Sequence, residues 1–164
     1  MKKAYLLLVS ILFIQSAFAQ DVLDKFPIPI VSVNDFENIF TDEEEAILNG
    51  LMFAYNEQAD TVIVVITIDE KSTTAEQFDN LTLQIANKWK IGSAKKNNGI
   101  LIGISKGLRR IRIQSGIGIE IRLADEETKQ IIDTVFIPKF KEGHYYKGTR
   151  DGIKAIVDHL KKNN

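Results

Sequence analysis

The chain of 164 residues contains no cysteine. That excludes disulfide staples, thiolate metal sites, a nucleophilic thiol and a lipid-anchoring cysteine after a leader. Histidine occurs twice, too rarely to supply the nitrogen ligands of tetrahedral zinc. No Gly-x-x-x-x-Gly-Lys-Ser/Thr run is present to cradle a phosphate. Gly116-x-Gly118 begins like a dinucleotide fingerprint, but Ile121 holds the third glycine position and no helix is expected to open there. Neither sign of charge dominates. Without Lys2 and Lys3, 19 basic residues face 22 acidic ones, a net charge of −3, which points to no nucleic-acid partner.

One long apolar run does occur, at the amino terminus. Lys2 and Lys3 precede Ala4 to Phe13, and Ala17-Phe18-Ala19 offers small residues at −3 and −1. Residues 1–19 therefore read as a secretory signal peptide cut before Gln20. Residues 20–164 read as a single exported domain, periplasmic or extracellular, with no membrane span in the mature chain.

Within that domain the pattern alternates between helical and strand periods. Pro27 and Pro29 make Asp21 to Asn34 an extended arm. Thr41 and Glu44 form a capping box that opens a helix to about Ala59, with Ile47, Leu51, Ala54 and Tyr55 inward. Thr61 to Ile68 is a β-branched buried strand. A second capping box, Thr73 with Glu76, opens a helix carrying Phe78, Leu81, Ile85 and Trp89 and stopped at Ile91-Gly92. The strand from Gly99 completes a β-α-β unit with parallel strands. Asp125 caps a third helix, turned inward at Ile131, Ile132, Val135 and Phe136 and ended by Pro138. A polar, aromatic loop, 139–148, leads to a last helix striped by Ile153, Ile156, Val157 and Leu160. The expected fold is α/β, a three-layer α/β/α sandwich with a small mixed central β-sheet.

Asn97 to Asp125 organises the rest. Gly99 to Ser105 is almost wholly apolar, whereas Leu108 to Gly116 alternates, with Arg110, Arg112 and Gln114 on one face and Ile111 and Ile113 on the other. Lys106-Gly107 turns the chain. Pairing 105 with 109 sets Asn98 opposite Gly116, so Asn98, Gly116, Gly118 and Glu120 gather at one end of the sheet.

With sulfur and nitrogen scarce, the remaining ligand chemistry is oxygen. Asp35, Glu37, Glu120, Asp125 and Asn98 lie in loops or at helix starts, where a hard cation finds its ligands. Asp35 lies at the far end of the sheet from Asn98, so one site needs residues 117 to 124 to cross back over the domain, within their reach of about 26 Å. The alternative groups Asn98 with Glu120 and leaves Asp35 out. No nucleophile stands out. His144 and His159 read as surface or structural residues.

The sequence resembles the TPM domain family, also called TPM phosphatase domains, at Val33-Asn-Asp35-x-x-Asn-Ile-Phe-Thr41, Lys88-Trp89-x-Ile-Gly92, Asn98-Gly99-Ile-Leu, Ile113-x-x-Gly116-x-Gly118-x-Glu120, Asp125, Ile137-Pro-x-Phe140 and Gly143-x-Tyr-Tyr-x-Gly148. The resemblance implies an α/β/α sandwich, divalent-cation sites and, for some members, acid phosphatase activity or maintenance of photosynthetic or membrane complexes. Members often carry Asp-Asn-Gly where this chain has Asn97-Asn98-Gly99, one carboxylate fewer. The resulting expectation is an exported module ordered by calcium or another divalent cation such as magnesium, with Asp35, Glu37, Glu120, Asp125 and Asn98 as ligands. Its alternatives are a metal-assisted phosphatase acting on phosphomonoesters and a metal-independent scaffold for an envelope or membrane protein complex.

Overall fold

The β-branched run at Thr61 lies inside a four-stranded sheet of order β1-β2-β3-β4 in a computed structural model that describes residues 22–163. The expected signal peptide lies outside the described residues. The strands are β1 (Val33–Asp35), β2 (Val62–Thr67), β3 (Gly99–Ser105) and β4 (Arg110–Ser115). The first three are parallel and β4 returns antiparallel, so the sheet is mixed. β1 extends the expectation, because the arm's last residues pair with β2 from Val33↔Val65 to Asp35↔Thr67. On this short edge strand Asn49 Oδ1 accepts the N–H of Val33 at 2.9 Å, which satisfies one of the edge's free donors.

The helices are α1 (Asp42–Ala59), α2 (Phe78–Trp89), α3 (Ile117–Glu120), α4 (Asp125–Ile131), α5 (Ile137–Lys141) and α6 (Tyr145–Lys162), with a π-helical turn, Ile132–Phe136, between α4 and α5. One face of the sheet buries Ile63, Val65, Ile100, Ile102, Ile104 and Ile113 against α1, α6 and Phe136. The other buries Val64, Ile66 and Leu101 against α2 and Phe26 of the arm. Trp89 Nε1 donates to Phe26 O at 3.2 Å and ties that arm down. These are the three layers expected. Among the described residues no helix is long and apolar enough to cross a membrane.

Several local expectations are corrected. The Thr41–Glu44 capping box forms, but α1 buries Leu48, Met52 and Ala59, leaving Ile47 and Ala54 outside. Apolar residues occupy two stripes of this helix, and packing chose the second. The Thr73–Glu76 box does not form, and α2 begins at Phe78 after a turn closed by Gln77 N to Thr74 O. Asp125 is the first helical residue rather than the cap, which is Ala124. Pro138 does not end its helix. The π turn, in which Ile137 N donates to Ile132 O, hands over without a break to α5, and Pro138 falls in the first turn after that phase change. The expected aromatic loop is largely helical, since α6 starts at Tyr145.

Candidate functional site

Asp35 closes β1 at the C-terminal ends of the parallel strands. Its Oδ1 accepts from Thr67 Oγ1 at 2.5 Å, and its Oδ2 accepts from Phe40 N at 2.8 Å. Thr67 Oγ1 in turn accepts from Glu37 N at 2.8 Å. The Glu37 carboxylate then reaches the β3–β4 turn, where Lys106 N and Gly107 N each donate to it at 2.7 Å. An unbroken relay therefore joins the start of α1 to the hairpin turn. The hairpin it reaches differs in register from the expectation. The pairing is Ser105↔Arg110, one residue beyond the 105–109 pair expected, so Lys106 to Arg109 form a four-residue turn. Arg109 N donates to Lys106 O at 3.2 Å, and Arg109 takes a left-handed φ of 52°.

Beside this turn runs a groove of about 720 Å³ between β4 and the α5–α6 corner. Ile111, Ile137 and Phe140 form its apolar wall, and Lys106, Arg109, Arg110, Lys141 and Tyr145 its polar one. Phe140 stacks on Tyr145 at 4.8 Å between ring centroids, and Lys106 Nζ stands 5.9 Å from the Tyr145 ring. Burial, followed by the charge of Glu37, raises the Tyr145 phenol above its ordinary range, while Arg109 opposes the shift. Arg110 lies 3.9 Å from Asp79, whereas Lys106, Arg109 and Lys141 make no ion pair among the described residues.

The opposite end of the sheet is closed by backbone. Asn98 is 9% exposed. Its Oδ1 accepts from Ser93 N at 2.8 Å, and its Nδ2 donates to Asp60 O at 2.8 Å. Gly118 N donates to Asn97 O at 3.1 Å. A Cβ at Gly116 would stand 2.2 Å from Asn97 O, and one at Gly118 2.0 Å from Lys96 O, so only glycine admits this approach. The four-residue helix α3 does open at Gly116, where none was expected. Arg122 then anchors the following chain, donating to Ala59 O at 3.3 Å and Leu160 O at 2.9 Å.

The proposed cation ligands therefore fall into two groups. Asp35 and Glu37 share the C-terminal strand end. Asn98 and the Glu120 segment share the other, as the alternative had it, and Arg122 keeps residues 117 to 124 there rather than crossing back. Asp125 follows as an exposed helix start. The five do not fit one cation shell, and among the described residues no three His, Cys, Asp or Glu side chains stand close enough to hold a metal ion together.

Lys106, Arg109 and Lys141 carried no functional expectation, because three cations scattered over 36 positions make no sequence motif, whereas Tyr145 was marked only as part of the aromatic segment and the family resemblance. Gly103-Ile104-Ser105-Lys106-Gly107 has the spacing of a hydrolase nucleophile elbow. Here it joins two strands instead of a strand and a helix, and Ser105 is buried with its Oγ accepting from Leu108 N at 3.3 Å.

The TPM domain family model matches residues 33–159. The fold is similar to the solution structure of an N-terminal domain of a protein from P. gingivalis, with a TM-score of 0.71, 28% identity and coverage of 79% of this chain and 82% of that one. It is similar also to the NMR structure of the BA42 protein from the psychrophilic Bizionia argentinensis, with a TM-score of 0.68, 21% identity and coverage of 78% and 86%. A third similar fold, the N-terminal domain of a Corynebacterium glutamicum protein, has a TM-score of 0.57, 10% identity and coverage of 83% and 81%. A search of curated proteins gave no match.

Proposed function

The chain belongs to the TPM domain family, and we propose that it is an exported module that recognises phosphomonoesters in the groove between the β3–β4 turn and the α5–α6 corner. The observation that carries this reading is the gathering of three cations without ion-pair partners, Lys106, Arg109 and Lys141, around Tyr145 at the C-terminal edge of a parallel sheet. That edge is where open α/β sheets bind ligands. Arginine and lysine neutralise a phosphoryl group, a phenol held protonated donates to its oxygens, and the wall of Ile111, Ile137 and Phe140 accepts an apolar ester body. No histidine or carboxylate lines the groove, and Ser105, which does line it, is almost wholly buried, so recognition is the reading proposed.

Titration with inorganic phosphate and phenyl phosphate, followed by amide NMR, tests it. Saturable shifts confined to residues 105–111 and 137–146, lost in an Arg109→Gln, Lys141→Gln double variant, are expected. Saturation with shifts elsewhere, or none at millimolar ligand, would overturn it.

One observation favours a divalent cation as a second reading. Burial, then the charges of Asp35 and Asp42, hold the Glu45 carboxyl above its usual range. A calcium-like cation bound near these carboxylates would relieve that crowding. Calcium titration of chelator-treated protein should then shift residues 33–45. Shifts at 116–126 alone, or none, count against it.

A further inference from the structure

We propose that Glu37, through the Asp35–Thr67–Glu37 relay, is the positioning residue of the groove. The inference rests on the phosphate-recognition reading above. Lys106 and Arg109 stand on a four-residue turn closed by two long bonds, Arg109 N to Lys106 O at 3.2 Å and Leu108 N to Ser105 Oγ at 3.3 Å. A turn so lightly closed is mobile unless something outside it fixes it. Glu37 does so with a bidentate acceptor: Oε2 takes Lys106 N and Oε1 takes Gly107 N, both at 2.7 Å. Bonds of this kind to an ionised carboxylate are among the stronger ones a protein makes.

Glu37 is itself held from behind. Its N–H is fixed by Thr67 Oγ1, and the Thr67 hydroxyl donates to Asp35, which Phe40 N holds in place. Thr67 is fully buried at the end of the inner strand β2, so the relay is anchored in the sheet. Asp35 and Glu37, two of the five residues that the sequence marked as cation ligands, thus turn their carboxylates toward N–H and O–H donors. They order the loop that carries the groove's cations.

The sign of the effect separates positioning from electrostatics. A carboxylate near a phosphate site repels the ligand, so neutralising a bystander tightens binding. Neutralising a positioning residue loosens the turn and weakens binding. Glu37→Gln keeps the side chain's length but retains one acceptor for two N–H groups.

The experiment compares inorganic phosphate binding by wild type and Glu37→Gln, with the backbone amide shifts and exchange rates of Lys106 and Gly107 as a second readout. Arg109→Gln, which removes a groove cation and leaves Glu37 in place, is the control. The inference expects phosphate affinity in Glu37→Gln to fall roughly tenfold, with the Lys106 and Gly107 amides moving upfield and exchanging faster. Arg109→Gln should lose affinity while Glu37 keeps those two amides protected. Unchanged or tighter phosphate binding in Glu37→Gln overturns the inference, as do unmoved amides. Should the wild type itself not bind phosphate, the recognition reading fails first, and the positioning role falls with it whatever the amides do.

Discussion

At the C-terminal end of the parallel strands, carboxylates accept hydrogen bonds from the loops while the cations beside them lack ion-pair partners. At the N-terminal end, the equivalent space is filled by main chain. There Asn98 spends its amide on Ser93 N and Asp60 O, Gly116 and Gly118 lie against Asn97 O and Lys96 O, and Arg122 donates to the carbonyls that end two helices. A second hollow of about 420 Å³ does lie near that end, between α2 and β4, but its only charged lining residue is Lys90. The contrast separates two reasons for a polar residue to sit at a sheet end. One end uses polarity to close the chain on itself. The other uses it to hold loops still while leaving charge available to a ligand.

The contrast can be broken from either side. The largest effect is expected from Gly118→Ala, whose new methyl would meet Lys96 O at 2.0 Å. Chemical denaturation should show a loss of about 3 kcal/mol, with phosphate binding by the remaining folded molecules unchanged. Asn98→Ala comes next, at about 2 to 3 kcal/mol, because it strands Ser93 N and Asp60 O. Raised calcium affinity in Asn98→Asp would mark that end as a ligand site after all.

At the other end, Thr67→Val removes the hydroxyl that links Asp35 to Glu37. A loss of about 1 to 2 kcal/mol is expected, with faster exchange at Lys106 and Gly107. The Arg109→Gln, Lys141→Gln double variant should leave stability within about 0.5 kcal/mol while phosphate affinity drops at least roughly tenfold.

The smallest effect concerns pH. Glu45 binds its proton more tightly in the folded state than in the unfolded chain. Stability from that proton is present below the unfolded value, near 4.5, and is lost as pH rises through the higher folded one. Glu45→Gln should therefore be more stable than wild type at neutral pH, by less than about 1 kcal/mol, and lose that advantage below about pH 4.

Much of this was legible from residues alone, where local chemistry and tertiary context agree. The TVIVVITI run could hardly be anything but a buried strand, and Thr41 with Glu44 closes a capping box within four residues. The alternation from Arg110 to Gln114 places Ile111 and Ile113 toward the α1–α6 layer and Gln114 on Thr82 of α2. Those features established the layers, the parallel β-α-β unit and the hairpin. Elsewhere the local signal was ambiguous or misleading. α1 carries two apolar stripes, and only the neighbours decide between them. Pro138 stops a regular helix, but a π turn shifts the hydrogen-bond phase just ahead of it. Asp35 and Glu37 look alike as metal ligands and as loop acceptors until their donors are known, and apart from nearby Phe40 N those donors, Thr67 Oγ1 for Asp35 and the Lys106 and Gly107 amides for Glu37, come from distant parts of the chain. The groove is the extreme case. Residues 106, 109, 141 and 145 become neighbours only because α5 and α6 return over the end of β3. Periodicity and capping act over a few residues and can be read along the chain. The choice of partner for a side chain, and so its function, depends on what the fold brings from elsewhere.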